Sequence, residues 1–269
     1  MSINMANGGV TFPRVMKSEF IKLRSLRSTW ILLGSMLVLF IAFGAIAALA
    51  STGQIKDGRG GPPQSLGLDP ITTVLAGAGF ALLIMAVFGV LSGAREYGSG
   101  MIRTTLAFVP KRLPVLWAKV LVLIAFVLPI AVLAGLGAFY LGMAVLSGSG
   151  HDTVSLGDST AQRVLIGTAG YITGMAIIGL ALGIAMRSMP GAIATVIGGV
   201  LILPALLTAL LPESWRSVLK YLPSNAAAPF TEVKVRVDML AIGPGIAVFV
   251  GWVVVSIAVA AWLFARRDA

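Results

Sequence analysis

Catalysis needs a nucleophile beside a base, or ligands converging on a metal, and this chain offers little of either. It has no cysteine and a single histidine, His151. His151 stands next to Asp152 in the polar segment GSGHDTVSLGDST, with no second histidine to complete a zinc site. That pattern reads as a solvated loop. Ser92, Thr168 and Ser188 have no base nearby in the sequence, so an intramembrane hydrolase is disfavoured. The densest polar stretch is GAREYGSGMIRTTLAFVPKR, residues 93–112, which holds Arg95, Glu96, Arg103, Lys111 and Arg112 with three glycines and Pro110. Its GSG could be mistaken for a phosphate cradle. It lacks the lysine and the following hydroxyl, and no G-x-x-x-x-G-K-[ST] motif occurs anywhere in the chain. Any ATP hydrolysis therefore belongs to another polypeptide.

The elements that carry these residues are set by hydropathy. Of 269 residues, 58% are hydrophobic and 11% charged, and the mean hydropathy is +0.97. A soluble domain is near half apolar and about a quarter charged. The apolar residues here fall in long runs, and about 20 helical residues cross a bilayer core of about 30 Å. The sequence predicts an all-α integral membrane protein with six spans, at about residues 29–50, 71–94, 116–146, 164–186, 191–211 and 242–265. Residues 1–28 form an N-terminal cytoplasmic region and 266–269 a short cytoplasmic tail. The first apolar run begins near Trp30 at full span length, so no secretory signal is expected.

Charge orients the spans. With both termini cytoplasmic, the inner segments hold Arg14, Lys17, Lys22, Arg24, Arg27, Arg95, Arg103, Lys111, Arg112, Lys119, Arg187, Arg266 and Arg267, against Glu19, Glu96 and Asp268. The outer segments carry equal numbers of basic and acidic residues, so the formal net charge of +10 lies on one side. Basic residues that flank apolar spans meet anionic lipid headgroups, and nucleic acid is a poor partner for them. No Asp, Glu or His falls mid-span, which argues against a proton-coupled carrier. Lys119, near the start of the third span, can snorkel to the interface.

Two cytoplasmic pieces are patterned. In FPRVMKSEFIKLRSLRSTW, residues 12–30, the residues Phe12, Met16, Phe20, Leu23, Leu26 and Trp30 recur at helical steps, with Arg14, Lys17, Lys22 and Arg24 mostly opposite. This predicts an amphipathic interfacial helix. After the second span, Gly98 and Gly100 permit a change of direction, Glu96 sits among Arg95 and Arg103, and Pro110 ends a short stripe of Ile102, Leu106 and Val109. Gly89 and Gly93 on the second span, and Gly170, Gly174, Gly179 and Gly183 on the fourth, supply small-residue faces for packing within one subunit. A subunit interface is the other reading of those faces.

Three motifs in order resemble the type 2 ATP-binding-cassette (ABC) exporter permeases, in their six-span bacterial form: EFIKLRSLRSTW before the first span, EYGSGMIRTTLAFVPKRLPVLWAK between spans 2 and 3, and YLPSNAAAPF after span 5. The resemblance implies a substrate pathway formed by two permeases, identical or homologous. Beneath it would lie two copies of a nucleotide-binding ATPase subunit, which would carry ATP and Mg²⁺. This chain would bind no cofactor and catalyse nothing. The resemblance also implies that Glu96, Tyr97, Gly98, Gly100, Ile102, Arg103, Thr104, Thr105 and Pro110 form a cytoplasmic coupling helix. Arg14, Lys17, Glu19, Lys22, Arg24 and Arg27 would form the interfacial helix beside it, and short outer-leaflet helices would lie between spans 5 and 6. The location implied is the bacterial inner (cell) membrane. Replacing Glu96 with Ala, or Arg103 with Glu, is then expected to spare folding and weaken coupling. An ATP-independent transporter, channel or scaffold accounts for the spans but not for the two interfacial segments.

Overall fold

A computed structural model describes residues 11–53, 69–98, 112–211, 216–234 and 239–266, and every element among them is helical. Among the described residues, five helices are long and apolar enough to cross a membrane. In chain order the elements are α1 (Phe12–Ser25), α2 (Arg27–Ser51), α3 (Pro70–Val74), α4 (Ala78–Gly98), α5 (Arg112–Gly148), α6 (Ser159–Met186), α7 (Met189–Ile197), a π-helical turn (Gly198–Ile202), α8 (Leu203–Leu210), α9 (Arg216–Leu219), α10 (Pro223–Thr231) and α11 (Ile242–Arg266).

The boundaries follow from local chemistry. Pro13 lies in the first turn of α1, where a missing N–H costs nothing. Leu26 is extended, with φ −86° and ψ 121°, and divides α1 from α2. The Trp30 indole nitrogen closes that corner by donating to the Arg24 carbonyl at 2.9 Å. Trp30 thus belongs to the first spanning helix rather than to the interfacial one. Asp158 caps α6 by accepting from the Thr160 and Ala161 amides at 2.7 and 3.0 Å. The other end of α6 is closed by Arg187 in the left-handed region, φ 55°.

Two expected spans differ in the structure. The second is divided, because α3 is a separate short helix whose cap is Asp69, and α4 starts only at Ala78. The fifth, expected over residues 191–211, is three consecutive helical pieces, none of spanning length by itself. Pro204 is the cause. It has no amide to donate and its ring clashes with a regular preceding turn, so the ladder shifts register ahead of it. The Leu203 amide reaches back five residues to the Gly198 carbonyl, a π-helical bond. Pro129, by contrast, is carried inside α5 without ending it.

The glycine faces explain the core. A Cβ at Gly89 would fall on the Ala176 carbonyl oxygen, at Gly93 on that of Leu180, and at Gly179 on that of Ala86. These positions bring the backbones of α4 and α6 into direct contact, so they serve packing within one chain. Gly174 instead seats the Phe249 ring of α11. Gly170 has open space around it and belongs to neither seam. Met85, Val90, Ile172, Leu180 and Val127 fill the enclosed centre around α6. α11 turns Val250, Val254, Val255 and Trp262 outward, as a lipid-facing helix does.

Beyond α8, the expected region between the last two spans holds α9 and α10. Residues Ala226 to Phe230 of α10 are buried. Arg163 near the start of α6 donates to the carbonyls of Pro229, Glu232 and Val233, which are left open where α10 ends.

Candidate functional site

The site grows from the last turn of α4, where Arg95, Glu96 and Tyr97 follow one another. Consecutive helical residues point about 100° apart, so one turn can address several neighbours. Arg95 donates from Nη1 to the Ser28 hydroxyl of α2 at 3.2 Å. Tyr97 offers its ring face to the guanidinium of Arg187, 5.1 Å from the centroid, at the junction of α6 and α7. Glu96 points between them into the protein and is 4% exposed.

There Glu96 meets charges from two other helices. Its Oε1 accepts from Lys22 Nζ at 2.8 Å and from Lys119 Nζ at 2.7 Å. Lys22 also donates to Glu19 Oε1 at 2.7 Å, one turn earlier on α1. Lys119 donates to Glu19 Oε2 at 2.8 Å. Two carboxylates and two ammonium groups close a ring that joins α1, α4 and α5. The side chains of Glu19, Glu96 and Lys119 are 5%, 5% and 7% exposed, and that of Lys22 is 25% exposed. Its formal charge is zero. Each ammonium contacts both carboxylates, the condition under which a buried ion pair can offset its desolvation. Burial alone would lower the Lys22 pKa. The hydrogen bonds and charges of Glu19 and Glu96 outweigh that and raise it above 10.5. A narrow crevice of about 50 Å³ lies against the ring, lined by Ser28, Arg95 and the four ring residues.

The residues read from the sequence divide as follows. Glu19, Lys22 and Glu96 are brought together. Tyr97 is alongside them, and Gly98 is the last helical residue of α4 rather than the turn itself. Arg14, Lys17, Arg24 and Arg27 are exposed on α1 and at the start of α2. Gly100, Ile102, Arg103, Thr104, Thr105 and Pro110 lie outside the described residues. The face of α1 that packs inward is Val15, Glu19 and Lys22, while Phe12 and Phe20 of the expected apolar stripe are 40% and 41% exposed. That outward apolar edge suits a helix lying against lipid.

Two expectations are corrected here. Glu96 pairs with Lys22 and Lys119, two lysines distant in the sequence. Removing it by Glu96→Ala would leave Lys22 and Lys119 undercompensated, so the ring geometry makes that substitution one expected to destabilise the fold. Lys119 does not snorkel free, because its ammonium is enclosed by two carboxylates. The signal was present in the sequence. A lysine two turns inside an apolar helix needs counter-charges, and the segments that the sequence reads as cytoplasmic hold only three acids, Glu19, Glu96 and Asp268.

This arrangement has no nucleophile beside a base. It is a structural junction, at which α1, α4 and α5 are tied to one another near the end of α4. A model of the ABC-2 family transporter proteins matches residues 15–202, which include most of α1, the junction and α6. The chain belongs to that family. Membership makes it a membrane component of an ABC-type transporter, a class that works with an ATP-binding subunit. No individual curated protein matches it closely enough to be named as a relative.

Proposed function

We propose that this ABC-2 family protein is the permease subunit of an ABC exporter. In this reading the three pieces over residues 189–210 together form a sixth span, and both termini face the cytoplasm. Two permeases pair to make the pathway. Two separate subunits bind ATP and Mg²⁺ and hydrolyse ATP beneath them. Residues 96–110 receive the motion of those subunits, with the interfacial helix α1 beside them.

The observation that carries the reading is the charge ring. A push delivered to a flexible loop is dissipated within it. A push delivered next to Glu96 reaches α4, α1 and α5 together, because Lys22 and Lys119 bind both carboxylates. Through Tyr97 and Arg187 it also reaches the junction of α6 and α7. The inward-facing excess of basic residues supports the orientation.

Arg103→Glu tests the coupling role without touching the ring. The variant should reach the membrane in wild-type amounts, while transport-stimulated ATP hydrolysis by the co-purified complex falls at least about tenfold. Wild-type stimulation in that variant would refute the assignment of residues 96–110.

A further inference from the structure

At the opposite pole from the charge ring, a crevice of about 170 Å³ opens between α3, the first turns of α4, the middle of α6 and the end of α10. That space equals roughly five or six waters. Its walls are apolar at Leu75, Leu82, Val164 and Ile172. Its remaining lining is Thr72, Thr168, Tyr171, Thr231 and Glu232, with the small residues Ala78 and Gly79 at the α4 side.

Two hydroxyls on one face of α6 set the chemistry of this crevice. Thr168 is 6% exposed, so its side chain is more than nine-tenths buried. A buried threonine in a helix ordinarily bonds back to a carbonyl one turn earlier, as Thr173 does to Ala169 at 2.8 Å. Thr168 forms no such bond among the described residues, and its oxygen is not sealed inside the fold. Tyr171, three residues on and therefore on the same face of α6, packs its ring on Phe249 at 5.2 Å. Its hydroxyl is likewise unbonded and not sealed. Burying hydroxyls without partners costs free energy, and a site that keeps two of them open to one crevice is built to have them met.

Two other crevices among the described residues do not share this property. The crevice of about 260 Å³ formed by Val132, Leu136, Leu156, Gln162, Leu165 and Ile166 has one polar side chain, and the Gln162 amide is spent on the Leu156 carbonyl at 3.0 Å. The one beside Phe20 and Phe126 includes Trp30, whose indole is spent on Arg24.

We infer that the crevice at Thr168 and Tyr171 binds the neutral, hydroxyl-bearing headgroup of an amphipathic molecule whose chain lies along the apolar wall. Hydroxyls both donate and accept, so they match other hydroxyls in either sense. Charge does not select the ligand. The carboxylate of Glu232 belongs to an exposed residue at the rim, where solvent screens it, and Arg163 holds only the backbone carbonyl of that residue, at 3.0 Å. The inference does not depend on coupling to an ATPase, so either can fail alone.

The test uses the full chain in lipid nanodiscs and an alkyl glucoside with a photoreactive diazirine in its chain. Labelling should map to α4 near Leu82 and to α6 near Thr168, and non-reactive octyl glucoside should compete it away. Octyltrimethylammonium should compete far less well. Thr168→Val and Tyr171→Phe each remove one oxygen and keep the shape, and together should weaken binding about tenfold. Thr173→Val, on the same helix with its hydroxyl spent, should leave binding unchanged. Should the double variant misfold, Thr72→Val at the exposed rim replaces it, with a smaller loss expected. Labelling spread evenly over the lipid-facing helices, equal competition by the ammonium compound, or unchanged binding in the oxygen-deleted variants would each overturn the inference.

Discussion

Lys119→Met is the most informative single change. Methionine is apolar and of similar length, so the substitution removes charge with little loss of volume. It leaves Glu19 and Glu96 facing each other at about 5% exposure, with Lys22 as their one remaining partner in the ring. Were this a surface cluster, the loss would be about 0–1 kcal/mol. Burial decides otherwise: removing one member of an enclosed pair typically costs about 3–5 kcal/mol, because a buried charge is left uncompensated. Adding Glu96→Gln to Lys119→Met returns the ring to neutrality, with Glu19 and Lys22 still paired at 2.7 Å. The double variant should therefore be more stable than the sum of the two single changes, by about 1–3 kcal/mol. Unfolding by sodium dodecyl sulfate in mixed micelles, followed by circular dichroism, measures all four corners of this cycle. The reasoning fails if Lys119→Met lies within about 0.5 kcal/mol of wild type, the range of neutral surface changes. It also fails if the two changes simply add.

The raised pKa of Lys22 fixes the sign of an alkaline effect. Its contribution is complete below about pH 10.5 and is lost as pH climbs through the higher folded value, so wild-type thermal stability should fall there more steeply than that of Lys22→Met. The α4–α6 seam predicts a contrast between glycines. Gly179→Val drives a side chain into the Ala86 carbonyl and should cost at least about 1–3 kcal/mol, whereas Gly170→Ala meets open space and should be neutral or slightly stabilising, both read by the same detergent titration.

What could be read without coordinates was whatever depends on one helix at a time. The spans beginning near Trp30, Leu116, Val164 and Ile242 are legible because about 20 apolar residues signal a span by themselves. The interruption at Pro204 was visible as a residue, but not as a π turn, because that outcome depends on how the preceding carbonyls are re-paired. The ring was half legible. Glu19, Lys22 and Glu96 stood out as residues of interest, yet their mutual contact spans 74 residues between Lys22 and Glu96 and 100 between Glu19 and Lys119. Helical periodicity gives no information across such distances. It gave the apolar stripe of α1, whose Phe12 and Phe20 are turned outward, but not the inward contacts of Glu19 and Lys22. The open hydroxyls of Thr168 and Tyr171 could not be foreseen, because a threonine in an apolar helix ordinarily satisfies itself.

The central claim is that the chain works with a separate ATP-hydrolysing subunit. Purifying the tagged full-length protein from its native membrane in mild detergent, and assaying the preparation for ATP hydrolysis, tests this most directly. The account predicts that a polypeptide carrying a phosphate-binding loop co-purifies in stoichiometric amount and hydrolyses ATP, and that the transport-stimulated part of that activity falls at least about tenfold in the Arg103→Glu preparation. A chain that purifies free of any ATPase and supports transport in vesicles without ATP would contradict it.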